Sequence, residues 1–243
     1  MSKLSDKIRK VTRLQSGPLG FGSTKAAQEP TMVLAARTAD PAAAADLARR
    51  GADIVIVDLA GGVKPASAGV PLGAAIAGKT AAESTAAREA GYDFVVFDPD
   101  QATATALLDD QIGYVLALPK DLGDNETRTL ESFQLDAIDV GEIKGALTVR
   151  RQIELRRIVG MARKPLMATV SADITSVELQ ALRDTSVVVV VAPDAAGVDK
   201  LRKTIDALPA RRARKDSDER PTPLVPVSAS VGDGDEPEHD HDE

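Results

Sequence analysis

From residue 31 to about residue 208 the chain repeats one rhythm, a short aliphatic run followed by a stretch of helical periodicity. The runs are TMVLAA (31–36), DIVIVD (53–58), PLGAAI (71–76), DFVVFD (93–98), YVLALP (114–119), LDAIDV (135–140), PLMATV (165–170) and SVVVVV (186–191). Helical patterns fall between most of them: DPAAAADLARRG, TAAESTAAREAG, DQATATALLDDQ, NETRTLESF, LTVRRQIELRRIVGMA, TSVELQALRD and GVDKLRKTIDAL. Continuous aliphatic strands alternating with amphipathic helices predict a parallel sheet covered by helices. Eight such units predict an α/β fold, a compact (β/α)8 TIM-type barrel. The link DLAGGVKPASAG after the second run is too rich in Gly and Pro for a helix, so the barrel is expected to be irregular, with that helix missing.

The flanks differ from this body. Residues 1–30 divide into a short helix and a Gly/Pro-punctuated loop, residues 31–211 form the barrel, and residues 212–243 are expected to be a disordered acidic tail. In the N-terminal LSDKIRKVTRL, Leu4, Ile8 and Val11 share one helical face and Lys3, Lys7, Lys10 and Arg13 lie elsewhere. Docking on anionic lipid or RNA is one reading of that helix. The favoured one is a cover for an open end of the domain, because the apolar stripe is narrow and lacks an aromatic anchor. Of the net charge of −7, the segment 216–243 supplies ten acids against a single Arg220, which leaves the preceding body nearly neutral. No nucleic-acid partner is expected from such a body. The terminal HDHDE reads as a solvated acidic tail rather than a preorganised metal site.

Several chemistries are excluded by composition. With no Cys, the chain has no disulfide, thiolate metal site or cysteine nucleophile, and its two His lie within the last five residues. A Ser-His-Asp triad and a His-ligated zinc in the body are therefore excluded. Any acid, base or nucleophile there must be Asp, Glu, Lys, Ser, Thr or Tyr. No apolar run approaches a membrane span and MSKLSDKIRK lacks the apolar core of a signal peptide, so a cytoplasmic location is expected.

In a barrel of this kind the active site lies at the carboxyl ends of the strands. That rule selects Arg37, Asp58, Lys79, Asp98, Lys120, Asp139 with Glu142, Ser171 with Asp173, and Asp194. Asp194 and Asp40 precede helices and are read as caps. Asp58 and Asp98 directly follow the runs IVIV and FVVF and are candidate acid–base groups, or ligands for a divalent cation such as Mg²⁺. Lys120, after YVLALP, is the candidate amine nucleophile or carboxylate anchor. Arg37, Lys79, Thr80, Asp139, Glu142 and Ser171 are the candidate substrate-binding set.

One motif competes with this reading. Gly73, Gly78, Lys79 and Thr80 match the spacing G-x-x-x-x-G-K-[ST] of a nucleotide-binding P-loop. Its variable positions, Ala74, Ala75, Ile76 and Ala77, read as strand, and Thr80 to Glu83 has capping-box spacing, as does Thr175 to Glu178. The motif is therefore expected to be a third strand entering a capped helix, with Lys79 still able to attract an anion at a helix N-terminus.

The strand and helix rhythm of residues 31–208 resembles that of small phosphate-binding (β/α)8 barrels, class I aldolases among them. Phrases such as ADLARRGADIVIVD, EAGYDFVVFDP and LRKTIDALP are similar to those of a group of bacterial barrel proteins with no assigned activity. The aldolase likeness implies a Schiff-base lysine within a strand, commonly the sixth, and Gly-rich phosphate loops after the last two strands. Here LDAIDV contains no lysine, and TVSADITS and VAPDAAGVD contain only Gly197. The expected function is a barrel that binds a small anionic metabolite, with lyase or aldolase-like chemistry and self-association into a homo-oligomer as an open option. A non-catalytic scaffold barrel and a P-loop nucleotide hydrolase using Gly73–Thr80 are the alternatives.

Overall fold

A computed structural model describes residues 2–12, 31–59, 62, 64, 66–75 and 80–209. The expected tail, the loop at 13–30 and Ile76–Lys79 lie outside the described residues. Eight parallel strands pair in chain order: β1 Val33–Thr38, β2 Ile54–Asp58, β3 Leu72–Ala75, β4 Phe94–Phe97, β5 Gly113–Ala117, β6 Ala137–Glu142, β7 Leu166–Thr169 and β8 Val187–Ala192. The pairing of β8 with β1 closes the barrel. Helix α1 (Lys3–Thr12) precedes the barrel, and α2 (Ala44–Arg49), α3 (Ala81–Glu89), α4 (Asp124–Thr129), α5 (Val149–Ala162), α6 (Ser176–Asp184) and α7 (Ala195–Asp206) follow β1, β3, β5, β6, β7 and β8. Among the described residues of the β2–β3 link there is no helix, as its Gly and Pro content dictates.

DQATATALLDDQ departs from the expected helix, forming only a 3-10 turn over Ala104–Leu107. Side chains capture the carbonyl that a longer helix would need. Ala106 O accepts the hydroxyls of Ser84 and Tyr114, each at 2.9 Å, and Tyr114 Oη also donates to Asp109 O.

Alternation along each strand divides the apolar residues into two layers. One set, with Val55, Val57, Val95, Ile138 and Val190, packs under the helices. The other fills the barrel: Val33 and Ala35, Ile54 and Ile56, Phe94 and Val96, Val115, Ala137, Met167, Val189 and Val191. Leu4 and Ile8 of α1 belong to this inner set, so α1 closes the amino-terminal end of the barrel and the covering role expected of it holds. Ser2 donates to Asp136 at 2.5 Å and Lys3 pairs with Asp93 at 2.8 Å, fixing the helix in place.

Those two acids belong to a recurring device at the start of the even strands. The N–H of Asp53 donates to Leu34 O and its carboxylate accepts the N–H of Leu34; Asp93 does the same with Leu72, and Asp136 with Tyr114. Each aspartate thus closes a reciprocal pair with the preceding odd strand. The β7–β8 junction uses backbone instead, with Leu166 N–H donating to Ser186 O, a residue held at a φ of 68°.

Two glycines set the bore. A Cβ on Gly73 would lie 2.3 Å from the Phe94 ring, and a Cβ on Gly113 would lie 2.6 Å from Ser2 Cβ and 2.2 Å from Asp136 Oδ2. Gly73 is therefore an interior position of β3 that makes room for a neighbouring strand's ring. Gly73→Ala is expected to lower stability by about 1–3 kcal/mol in urea denaturation, as overpacking of a full core does. Added to Phe94→Leu, it should cost measurably less than it does alone, which a double-mutant cycle reads directly.

Candidate active site at the barrel mouth

The inward alternation that fills the barrel continues to the carboxyl ends of the strands, where it changes character. Two residues beyond Ala35 stands Arg37, two beyond Ile56 stands Asp58, and two beyond Ala137 stands Asp139. Small or neutral residues, Ala75, Ala117 and Thr169, hold the same inward phase on β3, β5 and β7. The mouth is thus lined by charge above an apolar plug.

Arg37 and Asp139 meet across it. The Nη2 of Arg37 on β1 lies 3.3 Å from Oδ2 of Asp139 on β6, strands separated by β7 and β8. The pair is asymmetric, the Arg37 side chain being 36% exposed and that of Asp139 only 8%. Asp139 also accepts the N–H of Gly141 at 2.9 Å, an arrangement made by the Gly141 turn at a φ of 72°. Burial pushes the Asp139 carboxyl above the usual carboxylate range, and the Gly141 N–H and Arg37 oppose that rise only in part. Asp58 is half-buried at the same rim, and its side chain makes no hydrogen bond or ion pair among the described residues.

The other candidates lie in different surroundings. Asp98 turns into its own loop, accepting the N–H of Asp100 at 3.0 Å and the Gln101 amide at 2.9 Å. Lys120 is exposed in the β5–α4 loop. Glu142 is exposed and pairs with Lys144 at 3.5 Å. Ser171, also exposed, accepts the N–H of Asp173 at 3.3 Å. Thr80 caps α3 by accepting the N–H of Glu83 at 3.4 Å, while Lys79 lies outside the described residues. The capping box expected there is half formed, since Glu83 Oε2 is buried without a hydrogen-bond partner, whereas that at Thr175 and Glu178 is complete. Asp40 and Asp194 cap the segments after β1 and β8, as their positions require.

A cleft of about 290 Å³ opens beside the mouth, lined by Ile143, Leu147, Ile174, Ser171, Asp173 and Glu178 with the loop residues Gly145 and Ala146. Ile143, Leu147 and Ile174 belong to the layer under the helices, so the cleft leads into the outer core and not into the barrel. Its walls are tied by Glu178, whose carboxylate accepts from the N–H and hydroxyl of Thr175 and from the N–H of Leu147; these bonds hold it below its ordinary pKa. Sequence reasoning missed this cleft, because its apolar lining comes from irregular loops with no periodicity. Among the described residues, no group of three or more His, Asp and Glu is placed to hold a metal, and no helix is long and apolar enough to cross a membrane.

Fold and mouth together define an irregular TIM-type barrel. No protein-family model matches the chain, and no curated protein matches it. Among solved structures, 3-keto-L-gulonate-6-phosphate decarboxylase from Vibrio cholerae O1 biovar El Tor is similar over 72% of this chain and 97% of its own, with a TM-score of 0.55 at 12% identity. The KGPDC of Streptococcus mutans covers 72% of this chain and 97% of its own, with a TM-score of 0.53 at 9% identity. A mutant tryptophan synthase alpha-subunit from Pyrococcus furiosus covers 74% and 98%, with a TM-score of 0.52 at 12% identity. Likeness at such identities establishes the fold, and the chemistry has to be argued from the mouth itself.

Arg37→Gln leaves Asp139 buried without a cation. Asp139 in the folded protein keeps its proton to a higher pH than in the unfolded chain, so its contribution to stability is present at acid pH and is lost as pH rises through its titration. The variant raises that pKa further. Its deficit should accordingly be small at acid pH and open to about 1–2 kcal/mol at neutral pH, less than for a fully buried pair because Arg37 keeps part of its water. Urea denaturation of both proteins across that pH range checks it.

Proposed function

We propose that the carboxyl-terminal mouth of the barrel binds a small anionic metabolite, with Arg37 as its principal cation and lyase chemistry as the reaction class. The observation that carries this reading is the Arg37–Asp139 pair: a partly exposed guanidinium held at the mouth by a buried carboxylate through one contact of 3.3 Å, for which an anionic ligand can compete. The fold supports it, since TIM barrels place their chemistry at this end. Among the structural neighbours is a decarboxylase named for a sugar phosphate, an anionic substrate.

In this reading Asp58 is the acid–base group, unpaired at the rim among the described residues. Lys79 and Thr80 add an anion-attracting helix N-terminus, and Glu142 and Ser171 add polar contacts at the outer edge. Asp98, engaged in its loop, positions the β4 end. Schiff-base chemistry needs an amine enclosed away from water. Lys120 stands in solvent, so we give it the anchor's role, drawing a substrate carboxylate to the mouth. A non-catalytic scaffold is the second reading, favoured by the ion pair itself, which already gives Arg37 a partner within its own chain.

Differential scanning fluorimetry with phosphorylated sugars and keto acids separates the two. Ligand in excess of its Kd should raise the wild-type Tm, and Arg37→Gln should weaken binding at least about tenfold, the equivalent of about 1.4 kcal/mol. A Tm unmoved by every compound would overturn the anion-binding reading. Borohydride treatment with the same carbonyl compounds, followed by mass spectrometry, should leave Lys120 unmodified if it acts as an anchor; an adduct there would restore the nucleophile.

A further inference from the structure

The mouth pairs a buried carboxylate with a partly exposed guanidinium through a single contact of 3.3 Å, and an anion that engages the guanidinium competes with the carboxylate for it. Asp139 is enclosed by β5 and β7, which present Ala117, Met167 and Thr169 beside it and no titratable group. From β1 it meets Arg37; from its own strand Glu142 is turned outward to Lys144. Its remaining polar partner is the Gly141 N–H. Among the described residues Arg37 is therefore the single cation that compensates this carboxylate. An anion that takes the guanidinium leaves the carboxylate buried beside a second negative charge, an arrangement that proteins resolve by protonation.

We infer that an anion enters the mouth by displacing Asp139 from Arg37, with uptake of one proton from solvent by the Asp139 carboxylate. The proton ends on Oδ1 or Oδ2, and the net charge of the site changes by that of the anion plus one. The neutral acid so formed is an O–H donor at the anion's edge, a group that can donate a hydrogen bond to the ligand or return its proton. The site therefore selects for anions and for acid pH together, although no histidine stands in the barrel. Burial already holds the Asp139 carboxyl high, so the proton is taken up without a large adverse shift. This inference rests on the anion site proposed above and adds the fate of the proton.

Calorimetric titration of inorganic sulfate into the full chain tests it, because sulfate does not itself titrate between pH 5 and 8. Heats measured in buffers of different ionisation enthalpy give the number of protons bound. Expected is an uptake approaching one proton per sulfate, with affinity falling by up to about tenfold per pH unit above the Asp139 titration. In Asp139→Asn the uptake should vanish and the affinity should become independent of pH, at or above the wild-type value. Sulfate that binds the wild type with no proton uptake would overturn the inference and leave the anion site standing; that measurement needs no variant to fold. Absence of sulfate binding, or equal binding by Arg37→Gln, would instead overturn the anion-site reading and the inference with it.

Discussion

Everything at the mouth depends on how the barrel interior is filled. An eight-stranded barrel has room for layers of large side chains, and this chain, with four Phe, two Tyr and no Trp, has few to offer. One ring, Phe94, occupies the interior across β3 and β4, and it fits because β3 presents Gly73 there. Below it the cavity is closed from outside the sheet by Leu4 and Ile8 of α1, with Gly113 leaving room for Ser2. A barrel plugged by a ring, a set of β-branched residues and a docked helix is filled through its lower layers. The upper layer, where Arg37, Asp58 and Asp139 sit, is then the place where charge meets solvent.

The aspartates at the strand starts explain how so small a barrel holds its register. Parallel pairing leaves the first N–H of a strand without a partner unless something supplies one. Asp53, Asp93 and Asp136 supply it for three of the four strand pairs and then serve a second purpose, each receiving a tether from a helix: Arg202 of α7, Lys3 of α1 and, for Asp136, Ser2 at the start of α1. Closure of the sheet and attachment of the helices that seal it are thereby coupled. Burial lifts the Asp136 carboxyl above its ordinary range even as the Ser2 hydroxyl and the Tyr114 N–H restrain it, which places this junction among the less water-exposed parts of the molecule.

Much of this architecture is legible in the sequence, because eight aliphatic runs with short links leave few alternatives to a closed parallel sheet. Caps were equally readable: Asp40, Thr80, Thr175 and Asp194 each sit where a helix or turn begins and accept the N–H that their position requires. The segment after β4 departs from its helical spacing because Ser84 and Tyr114 bind the Ala106 carbonyl, contacts from residues 22 and 8 positions away. At the mouth the sequence picks out the strand ends that carry charge without separating their surroundings. Asp98 and Asp58 occupy identical places in DFVVFD and DIVIVD, yet a glutamine three residues on draws Asp98 into a loop. Asp139 carries a sharper signal, since in LDAIDV it falls on the inward phase within the strand, and a carboxylate there must find a cation or a proton.

The P-loop-like spacing shows how a motif can be assembled from unrelated needs. Gly73 exists for the Phe94 ring, and Thr80 for the first turn of α3. A phosphate-wrapping loop needs its first glycine at a strand end, with backbone N–H groups turned to the ligand; here that glycine is paired on both sides, to Ile56 and Phe94, inside the sheet. The guanidinium of Arg37 stands elsewhere, two residues past the end of the inner aliphatic set on β1. Because the layers beneath Arg37 are filled, the charged strand ends of β1, β2 and β6 form a rim above a packed interior. At that rim the carboxyl that burial lifts above the usual carboxylate range, Asp139, is also the one bridged to Arg37, so the charge balance of the upper layer turns on a single ion pair.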